Sequence, residues 1–251
     1  MPLPRFTIAL TRALGTTGLL LTVAAATGQP LAAQIRGGGP VRVGGTPSWW
    51  LGGGVSATTI GTISDGRSGS TWTFDGDPRW LVRGALEKTI QPTTTIGLAV
   101  NWGTADLRYA PLAGAPVVDL APGTSAELAQ CFAASGCTAT ADLWAAQLVL
   151  RGGGAREGLH QILEVTGGVS GYRALRTKAS ALVLPAEDAV DLTAGLGYGL
   201  GYAFGPDFHV GVVQDFGIAW HSGADLPEGT GRTYRLRNTR VILRYGFGTW
   251  R

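Results

Sequence analysis

The sequence predicts an all-β protein that folds as an eight-stranded antiparallel up-and-down transmembrane β-barrel. Three observations predict it: apolar alternation in several segments, an even number of such segments, and connections that alternate between long and short. The segment DLTAGLGYGLGYAF at 191–204 has large apolar residues at every second position and mostly Gly, Ala or Thr between them. Glycine is a poor choice for the water-facing side of a strand. The pattern therefore favours large residues that face lipid and small residues that face a crowded interior.

The start of the chain has the layout of a secretory signal peptide. Arg5 and Arg12 lie in a basic beginning, and an apolar run follows at 13–26. This run is shorter than the ~20 residues that a spanning helix needs. The sequence thus predicts export. The predicted organisation is a signal peptide at 1–33, a Gly-rich periplasmic lead at 34–47 and the barrel at 48–251.

Eight strands account for most of the mature chain. They are predicted at 48–62, 79–90, 94–109, 141–151, 158–173, 191–204, 208–220 and 234–248. In a closed up-and-down barrel, alternate connections emerge at the same rim, so the long connections are external loops and the short ones are periplasmic turns. The external loops are predicted near 63–78, 110–140, 174–190 and 221–233.

Aromatic residues near the strand ends predict two interfacial girdles. Those near the short turns are Trp49, Phe204, Phe208, Phe247 and Trp250. Those near the long loops are Trp80, Tyr109, Trp144, Tyr172 and Trp220.

Composition argues against several functional classes. A chain with 45% hydrophobic and 15% charged residues matches neither a disordered protein nor an ordinary cytosolic enzyme. Loss of Arg5 and Arg12 with the signal peptide takes the formal charge from +3 to +1 (3 minus 2), and no Lys/Arg cluster remains to neutralise phosphates. Nucleic acid is therefore not an expected partner. A soluble lipocalin-like barrel would need an apolar interior, whereas the inward positions here are Gly, Ser, Thr and charged residues.

Cys131 and Cys137 are the only cysteines, with five residues between them in the predicted external loop at 110–140. In an exported protein such a pair predicts a disulfide before a metal site. A zinc site would need four ligands, and no histidine lies near these two. We therefore expect a disulfide and neither a metal nor a cofactor. Thr124 and Glu127 have capping-box spacing, which predicts a short surface helix in the same loop.

Extending the alternation along the other strands places six charged side chains inside the barrel. They are Arg83, Glu87, Glu164, Asp215, Arg240 and Arg244. Three acids balance three arginines, and the last hairpin brings Asp215 almost opposite Arg240. An unpaired buried charge costs several kcal/mol, whereas a paired one is tolerated. We expect a polar plug that closes the lumen, with individually hydrated charges in a wet lumen as the alternative.

His221 is the one histidine that suggests catalysis. It begins an external loop as HSGAD, with Ser222 and Asp225 beside it, and a nucleophile, a base and an acid are the groups that hydrolysis needs. However, adjacent residues on a strand point to opposite faces, and a loop histidine is usually solvated. His221, Ser222 and Asp225 are therefore weak catalytic candidates.

The signal peptide, the eight alternating strands and the aromatics at alternate positions of the last strand resemble the small bacterial outer-membrane barrels of the OmpA/OmpX type. The resemblance implies contact with outer-membrane lipids, insertion by the barrel assembly machinery, a monomeric state and a structural or surface-interaction role through the external loops. An extracellular ligand of those loops is open. Lipid A deacylases and palmitoyl transferases are eight-stranded barrels too, so a lipid-modifying enzyme stays an alternative, as does a narrow gated pore.

Overall fold

The computed structural model describes residues 46–74, 78–114, 125–184, 190–221 and 225–249. The predicted signal peptide and nearly all of the Gly-rich lead lie outside these residues. Within the described ranges, no helix has the length and apolarity needed to cross a membrane. The elements are β1 Trp49–Ile60, β2 Ile63–Asp65, β3 Ser70–Thr73, β4 Arg79–Gln91, β5 Thr94–Pro111, α1 Ala126–Cys131, β6 Cys137–Gly152, β7 Gly158–Thr177, β8 Val190–Ala203, β9 Phe208–Trp220 and β10 Thr233–Phe247.

Eight of the ten strands form a closed antiparallel ring. Its order is β1, β4, β5, β6, β7, β8, β9 and β10, and β10 pairs back onto β1. Closure leaves no free sheet edge, which is the condition for a sheet to span a bilayer. The predicted fold class is confirmed.

The first external loop contains more structure than the sequence predicted. The strands β2 and β3 form a hairpin there, and β3 continues the sheet by pairing with the outer end of β5, Trp72 opposite Tyr109. The predicted loop boundaries at 110–140 and 174–190 are also wrong by a few residues, because β5, β6 and β7 extend beyond the barrel wall. The alternating Thr and Ala residues at 138–141 continue the β6 ladder against the end of β5. The barrel is therefore taller at this external side.

The outer surface of the barrel wall is apolar, as the alternation on β8 predicted. Leu192, Leu196, Tyr198, Leu200 and Tyr202 are all exposed, between 47% and 64%. So large an exposed apolar band is not found on soluble monomers. The surface is that of a lipid-facing barrel.

The glycines of β8 face inward because the interior has no room for side chains there. A Cβ atom at Gly197 would lie 2.4 Å from Oδ1 of Asp215, and one at Gly201 would lie 2.6 Å from Nε2 of His160. Both distances are far below contact separation. The glycines thus accommodate the polar side chains of neighbouring strands.

The external half of the barrel interior is filled by an apolar core rather than by water. Ile63 and Trp72 of the hairpin are only 1% exposed and pack with Leu107 and Leu143 from the barrel wall. The hairpin therefore folds inward as a cap over the barrel. Trp72 fixes this cap further by donating from its indole N–H to the Ser70 hydroxyl.

Two aromatic residues were assigned wrongly to the external girdle. Tyr109 and Tyr172 are 0% and 5% exposed and belong to the apolar core. The reason is strand parity: Tyr172 lies eight residues after the inward Glu164, and Tyr109 lies seven after the outward Trp102. Trp80 and Trp220 are exposed at this rim, and Trp49 and Phe204 are exposed at the opposite one. Trp250 lies outside the described residues.

The short helix α1 begins one residue later than the predicted capping box. Its N-cap is Ser125, whose hydroxyl accepts a hydrogen bond from the amide of Leu128. The residue predicted as the cap, Thr124, lies outside the described residues. At its other end, Cys131 is buried in the apolar core and forms a disulfide with Cys137 at the start of β6. The disulfide thereby fixes α1 to the barrel wall.

Replacing Cys131 with alanine should loosen the α1 loop without preventing barrel assembly. The loop closed by the disulfide is short, so its chain-entropy contribution is only ~2–3 kcal/mol. We expect faster proteolysis within 112–136 and an unchanged heat-dependent gel shift. Two reactive thiols in the unreduced wild-type protein would contradict the disulfide.

Candidate functional site

A network of buried ion pairs occupies the middle of the barrel. Arg240 on β10 donates to both oxygens of Asp215 on β9, with Nη2 to Oδ1 at 2.7 Å, and also to Oε2 of Glu164 on β7. Arg240 and Glu164 are each 2% exposed. One guanidinium therefore holds carboxylates from two other elements of the barrel wall.

A second layer of the network lies nearer the periplasmic rim. Nη2 of Arg244 is 2.6 Å from Oε2 of Glu87, and the hydroxyl of Thr95 donates to the same oxygen at 2.6 Å. Nη2 of Arg151 lies 3.0 Å from Oε1 of Glu87 and 2.9 Å from Oε1 of Glu164. Arg151 therefore joins the two layers.

Arg151 is the member of this network that the sequence analysis missed. It was taken as the last residue of its strand, although it shares parity with the inward Gln147 and Val149. Counting inward positions to the end of β6 would have found it. With Arg151 and Arg83 counted, this middle and periplasmic part of the interior has four arginines and three carboxylates, so the predicted balance of three against three is wrong.

The remaining predicted member, Arg83, contacts amides instead of carboxylates in the described residues. Its Nη1 donates to Oδ1 of Asn101 at 3.2 Å and to Oε1 of Gln147 at 3.4 Å. Arg83 is still buried, and it lies beside the ion pairs of the middle layer. Together the charged and amide side chains occupy the middle of the lumen.

His221 lies at the external end of the interior, in an outer cluster with Asp65, Asp191 and Tyr234. Its Nδ1 is 2.7 Å from Oδ1 of Asp191, and its Nε2 is 3.9 Å from Oδ1 of Asp65. The hydroxyl of Tyr234 donates to the second oxygen of Asp191 at 2.6 Å. The outer cluster therefore links the hairpin cap, through Asp65, to three barrel strands.

The expectation that His221 is solvated is wrong, because it is only 5% exposed beneath the hairpin. Burial alone would lower the pKa of His221, but the hydrogen bond to Asp191 and the nearby carboxylate of Asp65 outweigh burial and raise the pKa to about 9. The imidazole is therefore charged at neutral pH. Burial opposes ionisation of Asp65 as well, yet the nearby His221 and the hydrogen bond from Ser68 hold the pKa of Asp65 below its usual value.

The structure gives His221 a different acidic partner from the one predicted. Asp225 is exposed in the external loop and has a positive φ of 57°. Ser222 lies outside the described residues, so the catalytic prediction for it is untested. The acid that contacts His221 is Asp191, thirty residues earlier in the chain. In the described residues, no group of three or more His, Cys, Asp or Glu side chains is arranged to hold a metal.

The fold resembles those of several solved bacterial surface and outer-membrane proteins. Neisserial surface protein A aligns with 81% of this chain and 99% of its own, at 9% identity and a TM-score of 0.45. The N-terminal β-barrel domain of Pseudomonas aeruginosa OprF aligns over 80% and 99%, at 10% identity and 0.39. The outer membrane protease OmpT of Escherichia coli aligns over 82% and 99%, at 11% identity and 0.40.

The chain folds as a closed eight-stranded up-and-down β-barrel with an apolar outer wall. This is the fold that the sequence predicted. At such low identities the likeness concerns the arrangement of strands alone, and no residue role is transferred from it. No family model matches the chain, and no curated protein is similar to it in sequence.

Proposed function

We propose that this outer-membrane barrel has a closed interior and acts through its external face as a structural or surface-interaction protein. One observation carries the proposal: side chains occupy the interior at two levels along the barrel axis. Ion pairs occupy the middle, and an apolar core occupies the external end. An eight-stranded barrel is just wide enough for its own side chains to fill it. Bulk diffusion through such a lumen is not expected.

Hydrogen bonds, an ion pair and the disulfide hold the external end of the barrel in a defined arrangement. Nε of Arg108 on β5 donates to the carbonyl of Ser135 at 3.0 Å, and Nζ of Lys178 lies 2.7 Å from Oδ2 of Asp106. The Ser180 hydroxyl donates to the carboxylate of Glu127 on α1. These bonds, with the disulfide, tie α1 to the extended ends of three strands. We call α1 and the outer ends of β5, β6 and β7 the external platform. Its fixed arrangement supports a role in binding a partner outside the cell, because little conformational entropy is lost on binding.

Bilayer recordings test the closed interior. The wild-type protein in planar bilayers should give no stepwise conductance, while an open porin inserted under the same conditions gives steps. In cells that express it, the protein should fractionate with the outer membrane. On gels it should migrate differently before and after boiling. Regular conductance steps from the wild-type protein would favour the narrow gated pore instead.

A lipid-modifying enzyme is the competing function. It would need His221 to reach lipid at the external rim, and the burial of His221 under Trp72 argues for a structural role of this histidine. Mass spectra of lipid A from cells with and without the protein separate the two functions. An unchanged acyl pattern would exclude the enzyme, and a missing or added acyl chain would overturn the structural proposal.

The proposed partners are outer-membrane lipids, the barrel assembly machinery during insertion and an extracellular ligand of the platform. The proposal includes a monomeric state, since all eight barrel strands come from one chain. A detergent-corrected mass from light scattering would test it.

A further inference from the structure

The periplasmic mouth of the barrel contains a cavity that the closed-barrel function does not use. Its volume is about 160 Å³, and its lining includes Trp50, Thr95, Arg156, His209 and Arg244. This volume is well above the ~10–15 Å³ that one water molecule needs. The cavity can therefore hold a small polar molecule.

Two side chains in the lining are buried with unused hydrogen-bonding atoms. His209 is 6% exposed, and among the described residues neither ring nitrogen reaches hydrogen-bond geometry. Its polar neighbours include the backbone of Gly205 and the imidazole of His160, whose ring centre is 5.1 Å away. Arg244 is equally buried. Its Nη2 donates hydrogen bonds to Glu87 and Thr95, whereas its Nε has no hydrogen-bond partner in the described residues. Buried polar atoms without partners are costly and rare, so a ligand or ordered water is expected there.

The charge of the cavity lining selects the class of ligand. The charged residues in the lining are Arg156 at the rim and Arg244 behind it, and the lining contains no acidic residue. The guanidinium carbon of Arg244 lies 4.5 Å from the centre of the Trp50 ring, which fixes the orientation of the guanidinium. The ring of Trp50 also contacts that of His209, with centroids 4.7 Å apart and planes tilted by 51°. A fixed guanidinium beside an imidazole is suited to an anion with several acceptor oxygens.

We propose that this cavity binds a small oxyanion, a phosphate or carboxylate group, from the periplasmic side. Nε of Arg244 and a ring N–H of His209 donate to its oxygens. Arg156 attracts the anion at the rim. This site faces away from the external platform and goes beyond the surface-interaction function.

The test uses the mature protein refolded in maltoside micelles, which contain no phosphate. Calorimetric titration with sodium phosphate and with sodium acetate, each against sodium chloride at equal ionic strength, measures the affinity. We expect binding of phosphate or acetate above that of chloride. His209→Phe should keep the ring contact with Trp50 and weaken that binding about tenfold, as loss of one charge-assisted hydrogen bond does. Arg237→Gln, which removes an exposed arginine from the outer half of β10, should bind as the wild type does.

A second arm separates two sources of the same phosphate chemistry. Micelles doped with phosphatidylglycerol should compete with free phosphate if the natural ligand is a lipid headgroup, and should not compete if it is a soluble anion. Arg244→Gln should also weaken anion binding, but it removes one of the two arginines that contact Glu87 and can impair folding. Arg156→Gln removes the exposed rim charge instead and should weaken binding in a folded protein. The cavity holds only water, and the proposal is overturned, if phosphate, acetate and the doped lipid all act like chloride, or if both His209→Phe and Arg156→Gln bind as tightly as the wild type.

Discussion

Replacing Arg240 with alanine should lower the free energy of unfolding by about 3–5 kcal/mol. The guanidinium of Arg240 contacts Asp215 and Glu164. Without it, Asp215 has no cation within ion-pair distance among the described residues, whereas Glu164 keeps its contact with Arg151. Removal of one partner of a buried ion pair costs more than the pair itself contributes, because the other partner stays buried and unpaired. Urea unfolding followed by tryptophan fluorescence in micelles measures the change.

Two further variants isolate the ion pair from general damage. Arg235→Ala removes an exposed arginine from the same strand and should change the free energy of unfolding by less than about 0.5 kcal/mol. The double variant Arg240→Ala with Asp215→Ala should lose less than the sum of the two single variants, because the unpaired carboxylate is gone. If Arg240→Ala and Asp215→Ala each leave both the unfolding midpoint and the bilayer conductance unchanged, the plug does not exist and the lumen is wet.

Local alternation was sufficient to predict the barrel and most of its interior. Residues two apart on a strand share a face, so one outward residue fixes the direction of every other side chain until the strand is interrupted. This is why Glu164 and Arg240 could be placed inside from the sequence. The same rule, carried to the strand ends, would have placed Arg151 and Tyr172 inside too. Both residues lay within predicted strands, and the errors came from not carrying the alternation to the strand ends.

The outer cluster could not have been predicted in this way. Asp65 reaches His221 only because the first external loop forms a hairpin and folds inward over the barrel. The fold of that loop depends on the apolar contacts of Ile63 and Trp72 with distant strands. Neither contact has a local signal in the sequence, because no fixed spacing relates a loop residue to the strand end that it covers.

Raising the pH from 6.5 to 9 should destabilise the protein by roughly 3 kcal/mol through His221 alone. The pKa of His221 is about 9 in the folded protein, against 6.5 when it is free of its partners. A raised pKa means that the folded state binds the proton more tightly. The stabilisation is therefore fully present below pH 6.5, declines as the pH rises and is lost above 9. The groups around the imidazole are Asp65, Asp191, Tyr234 and Trp72.

Unfolding midpoints at several pH values between 6 and 9.5 test this expectation, and the slope against pH is the quantity to compare. His221→Gln should flatten the slope even if it lowers stability at every pH, because glutamine does not titrate. His160→Gln, near the periplasmic rim, should keep the wild-type slope. If His221→Gln loses as much stability as the wild type when the pH is raised from 6.5 to 9, other groups titrate in this range. The charge on His221 would then not hold the hairpin cap in place.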